Sequence, residues 1–194
     1  MPGLKGLLAQ SLSANKPSEV ASYVASYPSG TYFWTAPRAG RYRFAQWGGG
    51  GEGAGVGTDG GDGGAHAQTV RWVAAGQSVG LVVGECSRGS NGTTTILTLP
   101  DGTTVVTTGG ARGAIASAPG VATGGDINVP GGSRSGTTGG PGGTSGLFLG
   151  GIGGLATGTK EGTSPGGGGA DTSGSSIGTS GAAGLVIIAL ESLS

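Results

Sequence analysis

The alternation of apolar and polar side chains predicts short β-strands from residue 30 onward. Residues 31–35 are aromatic and β-branched, and residues 41–47 alternate charged or polar side chains with aromatic ones. In the second segment Arg41 falls on one face and Phe44 on the other, which is typical of a strand with one solvated side. We therefore predict two strands joined by a turn at residues 37–40.

Further segments have the apolar content and length of strands. They are residues 67–73, 79–84, 93–99, 103–108 and 184–191. Pro100-Asp101-Gly102 separates two of them and is a hairpin signal, with Gly102 where a positive φ is needed. A strand at residues 184–191 would need a neighbouring strand for its backbone hydrogen bonds. We therefore expect the chain to return to the sheet near its end. This pattern predicts an all-β fold, a small antiparallel β-sandwich of about seven strands.

Glycine is the dominant residue in the remainder of the chain, and the main structural question is whether these glycine-rich segments fold. The chain has 49 glycines in 194 residues, concentrated in residues 48–64 and 109–184. Glycine loses more backbone entropy on folding than any other residue, so such a tract either stays unfolded or packs backbones where a Cβ does not fit. Pro-Gly pairs, which are turn signals, begin at residues 119, 130, 141 and 165, the first three at an 11-residue interval.

These regularly spaced turn signals predict extended segments, or legs, of about eight residues each. The legs are expected to adopt the polyproline-II conformation and to fold back on one another. The fold prediction is thus a β-sandwich carrying a glycine-rich polyproline-II (polyglycine-II) helix bundle as an insert. A disordered low-complexity segment and an irregular β-rich packing are the alternatives that the sequence leaves open.

The first 29 residues differ from the rest because glycine is scarce there. A segment this small buries little surface by itself. We interpret residues 1–29 as an attachment arm for another protein or another copy of the chain, and residues 30–194 as the glycine-rich domain. A frayed terminus is the alternative for the arm.

Composition and charge narrow the function classes. Charged residues make up 10% of the chain and the formal net charge is zero, so the electrostatic attraction on which nucleic-acid binding depends is missing. No apolar stretch approaches the ~20 residues of a membrane helix, and no signal peptide is recognisable. We expect no nucleic-acid partner, no membrane span and synthesis in a cytoplasm. The single cysteine gives no internal disulfide.

Candidate catalytic and metal-binding residues are few. His66 is the only histidine, Cys86 or a serine would have to be its partner, and the ten acidic residues are scattered. Asp59 and Asp62 stand in a Gly/Asp run similar to calcium-binding repeats, but one copy supplies two carboxylates where calcium needs six to eight oxygens. A turn is the simpler interpretation. We therefore expect no enzyme, no cofactor and no catalytic or metal residues.

Surface recognition is the remaining class of function. Specificity would lie where larger side chains interrupt the glycines, and the receptor-contact candidates are Asn128, Arg134, Leu147, Phe148, Leu149 and Lys160. Residues 147–149 form the one sizeable apolar cluster of the tract. Two placements are open: the cluster is buried in the domain or a neighbouring copy, or it is an exposed contact at a tip. Trp34, Trp47 and Trp72 are able to stack on sugars, but their strand positions favour core packing.

An ordered series of motifs resembles a known family. Phe33-Trp-Thr-Ala-Pro37, Trp47-Gly-Gly-Gly-Gly51, Gly60-Gly-Asp-Gly-Gly64 and Gly181-Ala-Ala-Gly-Leu-Val-Ile187 are similar to the glycine-rich domains at bacteriophage tail-fibre tips. The resemblance covers most of residues 30–191. It implies a receptor-binding adhesin carried by a virion, with polyglycine-II legs and oligomeric assembly, such as a homotrimer. The chain departs from that pattern in being short and in having no fibrous shaft, so a separate fibre or tail protein would have to hold it.

The function expected from this resemblance is contact with a bacterial surface polysaccharide or outer-membrane protein, with residues 1–29 bound to other virion proteins. The alternative is a purely structural virion component, such as a head spike, plug or tail-joint protein. An ice-binding or matrix protein is a third hypothesis.

Overall fold

The fold is all-β, with two antiparallel sheets. The computed structural model describes residues 24–54, 59–86, 89–113, 116–140, 142–143, 150–151, 153–154, 161–170 and 179–192. Within them are ten strands: β1 (Val24–Tyr27), β2 (Gly30–Thr35), β3 (Gly40–Trp47), β4 (His66–Val73), β5 (Ser78–Val83), β6 (Thr95–Thr98), β7 (Thr104–Thr107), β8 (Ala122–Thr123), β9 (Ile127–Val129) and β10 (Leu185–Ser192). This described part contains no helix, and hence none long and apolar enough to cross a membrane.

Each sheet has five strands, ordered β1-β10-β3-β4-β9 in the first and β2-β5-β6-β7-β8 in the second. The final strand does return to a sheet, as predicted: Ile188 of β10 pairs with Phe44 of β3 on one side and Ala25 of β1 on the other. The predicted hairpin between β6 and β7 is confirmed, with Gly102 at φ +83°.

One cluster of buried side chains contains residues of both sheets. Its largest members include Trp34 and Leu81 from the second sheet and Tyr42, Phe44 and Ile188 from the first. Trp34 packs edge-on against Tyr42 and Phe44, with ring centroids 4.8 and 5.8 Å apart. Such aromatic contacts add about 0.5–1.5 kcal/mol per pair to the burial of their surface. The alternation predicted for residues 41–47 holds for Tyr42 and Phe44, which are buried in this core beside the more exposed Arg41 and Arg43, whereas residues 45–47 are all buried.

Beyond the paired ends of β3 and β4, the chain forms two glycine legs, leg 1 (residues 48–54) and leg 2 (residues 59–65). The N–H groups of leg 1 point in turn to three different segments, and every third N–H returns to the same one. Residues 48, 51 and 54 donate to leg 2, residues 49 and 52 to residues 90–93, and residues 50 and 53 to residues 179–182.

Leg 2 follows the same rule. Residues 60 and 63 donate to residues 132–136, residues 61 and 64 to residues 166–169, and residues 62 and 65 to residues 108–111. Its carbonyls accept from leg 1, from residue 120 and from residues 140–143. Leg 2 is thus hydrogen-bonded to six surrounding segments, and the described parts of the glycine tract are folded back around it.

The legs require glycine because their backbones are in contact. A Cβ on Gly50, Gly61 or Gly110 would overlap the backbone carbonyl oxygen of a neighbouring segment. The segments also continue strands of both sheets, since residues 108–113 follow β7 and residues 179–184 precede β10. The glycine region and the sheets are therefore one hydrogen-bonded structure.

Several sequence predictions of local structure are corrected. Gly120 and Gly131, expected in turns, lie instead in hydrogen-bonded segments, and Gly120 donates to Gly63. Turns of the tract form where glycine adopts positive φ, at Gly124, Gly136 and Gly166. Three strands were not predicted: β8 and β9, which are two and three residues long, and β1, which lies within the proposed arm and pairs with β10.

Candidate functional site

The predicted receptor-contact residues fall in different environments. Asn128 lies exposed on β9, and its side-chain amide donates to the Gly125 carbonyl at 2.8 Å while its oxygen accepts the Gly125 N–H at 3.1 Å. The Arg134 side chain is only 7% exposed. Leu147, Phe148, Leu149 and Lys160 lie outside the described residues. Of the two candidates that the structure describes, Asn128 therefore presents its amide at the surface, whereas the guanidinium of Arg134 lies in the interior.

Arg134 belongs to a buried network around Asp62. Its guanidinium donates to the carbonyls of Arg112 and Gly60 at 2.9 and 3.2 Å, and lies 4.0 Å from the Asp62 carboxylate. That carboxylate is fully buried and accepts the Ser117 hydroxyl at 2.8 Å, the Ala118 N–H at 2.7 Å and the Arg134 N–H at 2.9 Å. These donors satisfy a charged acceptor-only group. Asp62 thus fastens leg 2 to two other segments.

A second buried acid, Glu52 of leg 1, is arranged in the same way. Its carboxylate accepts the Gly89 N–H and lies 3.8 Å from the Arg112 guanidinium. Among the described residues, no three acidic, histidine or cysteine side chains are grouped to hold a metal ion. Glu52 and Asp62 act as internal acceptors that cross-link the segments, whereas the side chain of Asp59, the third acid of the legs, is 43% exposed.

Neither of the two groups considered for catalysis is exposed, since His66 is fully buried and Cys86 is partly buried. His66 is fully buried, its Nδ1 lies 3.0 Å from the Gln46 carbonyl, and its ring lies 4.4 Å from that of Trp47. Burial lowers the pKa of His66 to about 4, against the opposing hydrogen bond, so the ring is neutral at physiological pH. Burial raises the pKa of the Cys86 thiol to about 11, which disfavours the reactive thiolate.

The most distinctive surface feature is an exposed aromatic residue on the second sheet. Phe33 of β2 is 80% exposed and lies opposite Gly80 of β5, which pairs in turn with Thr98 of β6. A Cβ on Gly80 would lie 3.8 Å from the Phe33 ring and 3.6 Å from Thr98 Cβ, so the missing side chain leaves a depression beside the ring. The depression has a volume of about 430 Å³ and is lined by Thr31, Tyr32, Phe33, Ser78, Gly80, Leu81, Val82, Thr98, Leu99 and Pro100.

A second depression shares Leu99 and Pro100 with the first and centres on Trp72. Its volume is about 200 Å³, and Arg71, Trp72, Gln77, Leu99, Pro100 and Asp101 line it. Trp72 is 51% exposed, whereas Trp34 and Trp47 are buried, so the expectation of core packing is met by two tryptophans and not by the third.

The charges around Trp72 are largely paired within the protein. The Arg71 guanidinium binds both carboxylate oxygens of Asp126 at 2.8 and 2.9 Å. Burial by itself raises the pKa of Asp126, but hydrogen bonds from Val70, Arg71 and Thr69 outweigh it and lower the pKa. The Asp101 carboxylate accepts the Thr103 N–H at 2.8 Å, which lowers its pKa. The lining therefore carries no unbalanced positive charge.

The sequence contained a signal for the exposure of Phe33. In residues 31–35, strand alternation places Phe33 on the face opposite Trp34, so burying Trp34 exposes Phe33. The exposure of Trp72 and the position of Leu99 and Pro100 between the two depressions are visible only in the tertiary structure, because Phe33 and Trp72 lie in different sheets.

Comparison with known proteins adds no assignment. No family model matches the chain, and no curated protein is detectably similar to it.

Proposed function

We propose that this chain is a phage virion protein, a tail-fibre tip or receptor-binding adhesin that contacts the bacterial surface. The observation that carries the proposal is the hydrogen bonding of legs 1 and 2, whose N–H groups return to the same neighbour at every third residue. Polyproline-II helices have three residues per turn, so successive N–H groups point about 120° apart. That periodicity supports a polyglycine-II bundle built on a β-sandwich, the architecture implied by the motif resemblance.

A binding function suits this architecture better than a catalytic one. The bundle leaves few side chains on its legs, and the buried Glu52 and Asp62 cross-link it internally. The full burial of His66, which removes its ring from contact with a substrate in solution, further supports a protein that is not an enzyme. A hydrogen-bonded support of this kind, whose buried carboxylates lie beside arginines of the bundle, is suited to holding recognition segments at a distance from the particle.

The proposal includes the partners and location of the protein. It places the chain on a virion, with residues 1–29 bound to other virion proteins and the domain assembled with copies of itself as a homotrimer. The bound receptor is a bacterial surface polysaccharide or an outer-membrane protein.

The test combines particle location with cell binding. Immunogold labelling of assembled particles should place the protein at a distal tip, and purified protein should bind bacteria of the host strain and compete with particle adsorption. Replacing residues 147–149 by a serine-rich segment should reduce that binding, whereas replacing the exposed residue Val121 by Ala should not. A copy buried between other virion proteins, with no cell binding, would support a purely structural component instead.

A further inference from the structure

We propose that strand β2 pairs with β2 of a second copy of this chain, antiparallel and about a two-fold axis at Phe33. The second sheets of the two copies, with five strands each, then form one continuous sheet. The interface goes beyond the proposed function, because it depends only on the geometry of the sheet. The homotrimer proposed above is three-fold, whereas this pairing is two-fold and joins a domain of one assembly to a domain of another.

β2 is an edge strand without the usual protection. Each sheet ends in two edge strands, and β2 is the longest of the four in the described part of the chain: it has six residues, whereas β1 has four, β9 three and β8 two. Native proteins protect their sheet edges with short strands, charged side chains, proline or bulges. Residues 30–35 contain no charge and no proline, and they pair with β5 without a register shift. The edge of β2 is therefore open to another strand.

The backbone groups on this edge are free to pair. Residues of an antiparallel strand alternate between pairs that exchange hydrogen bonds with the neighbouring strand and pairs that do not. Ala36 donates its N–H to the Gln77 carbonyl at 2.9 Å, in continuation of the register between β2 and β5. Counted back along this register, the N–H and C=O groups of Thr31, Phe33 and Thr35 point away from β5, and no described residue bonds to them. An added strand would find a row of donors and acceptors there.

The order of side chains along β2 makes the strand complementary to itself. In either direction from Phe33, the next residue is a large aromatic one and the residue after it is threonine. A two-fold axis at Phe33 pairs Thr31 with Thr35 of the second copy on the outer face. On the inner face it pairs Tyr32 with Trp34 of the second copy. Threonine pairs and aromatic pairs are both favourable across antiparallel strands, and a two-fold interface requires such self-complementarity.

Apolar exposure and charge favour the same arrangement. Phe33 is 80% exposed and lies at the centre of the proposed contact. The Cα atoms of a hydrogen-bonded antiparallel pair lie about 5.5 Å apart, so each Phe33 is covered on one side by its counterpart. The charged residue nearest to β2 in the sequence is Arg38, and the two-fold axis places the two copies of Arg38 at opposite ends of the paired strands. The paired strands therefore bring no like charges together.

A charge exchange at Phe33 tests the pairing, with the mass of the full chain measured by sedimentation at rising concentration. We expect reversible association of the wild-type chain. Phe33→Lys and Phe33→Glu should each halve the mass, because like charges then face each other across the axis, and an equal mixture of the two should regain it. A wild-type chain that stays a single copy at every concentration, or a mixture that stays dissociated, would overturn the proposal.

Val82→Lys is the matched control. Val82 is 44% exposed on the same outer face but lies on β5, one strand in from the edge, so this variant should keep the wild-type mass. If Val82→Lys and Phe33→Lys dissociate the chain equally, the outer faces stack on each other and edge pairing is refuted. A trimer that is insensitive to both changes at Phe33 also refutes the pairing, although the homotrimer would then stand.

Hydrogen exchange locates the contact on the backbone. The N–H groups of Tyr32 and Trp34 point to β5 within one copy and should be protected at every concentration. Those of Thr31, Phe33 and Thr35 should become protected only as the chain associates. Thr35→Pro removes an edge donor that β5 does not use, so it should weaken association about tenfold while thermal unfolding confirms an intact fold. Edge amides that exchange freely in the associated wild-type chain would contradict the pairing.

Discussion

At the scale of single residues, glycine has two separate roles in this molecule. In the legs, a Cβ on Gly61 would overlap the backbone carbonyl oxygen of Gly51, and backbone atoms cannot move aside as a flexible side chain would. On the sheet, a Cβ on Gly80 would find its nearest neighbours at 3.6 and 3.8 Å. The same residue type is therefore sterically required at one position and replaceable at the other.

This difference gives a matched pair of variants. Gly61→Ala should lower the free energy of unfolding by about 1–3 kcal/mol or more, as overpacking does. Gly80→Ala should leave it unchanged or raise it by about 0.5–1 kcal/mol, because alanine loses less backbone entropy. Urea unfolding followed by tryptophan fluorescence measures both. Equal effects of the two changes would contradict the contact described for the legs.

The buried carboxylate of Asp62 is a second residue whose chemistry is fixed by its partners. Asp62→Asn keeps the shape but places an amide N–H₂ among N–H and O–H donors, so we expect a loss of about 1–3 kcal/mol in unfolding free energy. The exposed Asp101→Asn is the control, with an expected change within about 0.5 kcal/mol. A tolerated Asp62→Asn would show that the network does not hold the segments together.

His66 predicts how stability depends on pH. Its folded-state pKa, about 4, lies below the ordinary value of 6.5, so the unfolded chain binds the proton more readily. The contribution is fully present above pH 6.5 and is lost as the pH falls toward 4, by on the order of 3 kcal/mol. Urea unfolding between pH 7 and 5 should show this slope, and His66→Gln should flatten it. NMR of a protonated imidazole at pH 6 would contradict the prediction.

At the scale of elements, β10 shows how alternation positions a strand. Ile188 is fully buried in the shared core, whereas its neighbour Ile187 points to the other face and is half-buried. Ile188→Ala should cost about 2–5 kcal/mol and Ile187→Ala about 1 kcal/mol, measured by chemical unfolding. The reverse order would mean that the register of β10 with β3 is shifted by one residue.

The strands that could be predicted are those whose side chains alternate strongly. Residues 41–47 and the hairpin at Gly102 carried local signals that tertiary structure did not change. β8 and β9 were not predicted because segments of two and three residues are too short to show an alternation of apolar and polar side chains. The Pro-Gly pairs at residues 119 and 130 were misread as turns, because the local turn preference of Gly120 is outweighed by its hydrogen bond to Gly63, a contact distant in sequence, whereas the turn predicted at Pro165-Gly166 is present.

The site was less predictable than the strands for the same physical reason. Arg134 was singled out as a large polar residue among glycines, but its guanidinium finds internal acceptors that only the folded legs create. Trp72 was grouped with the core tryptophans because a strand position alone does not say which face is covered. Burial of a side chain depends on what packs against its face, and local sequence does not contain that information.

At the scale of the whole molecule, the legs and the sheets should unfold together. Leg 1 continues β3, leg 2 leads into β4, and each N–H of residues 60–65 is bonded to a segment of the surrounding bundle. Breaking leg 2 therefore exposes the bonds of six neighbours, among them residues 108–111, which continue β7 of the second sheet, and residues 132–136, which follow β9 of the first. Glycine-rich chains without such bonds behave as flexible coils.

Hydrogen exchange of the native protein tests this coupling. The backbone amides of Gly61 and Gly63 should exchange with the same free energy of opening as that of Phe44 in β3, because the largest openings are shared by one cooperative unit. Gly61→Ala should lower the protection of the legs and of β3 by equal amounts. Free exchange of the leg amides beside a protected β3 would separate the bundle from the sheets. A bundle that opened on its own would also be too compliant to hold recognition segments at a fixed distance, so this measurement bears directly on the proposed adhesin function.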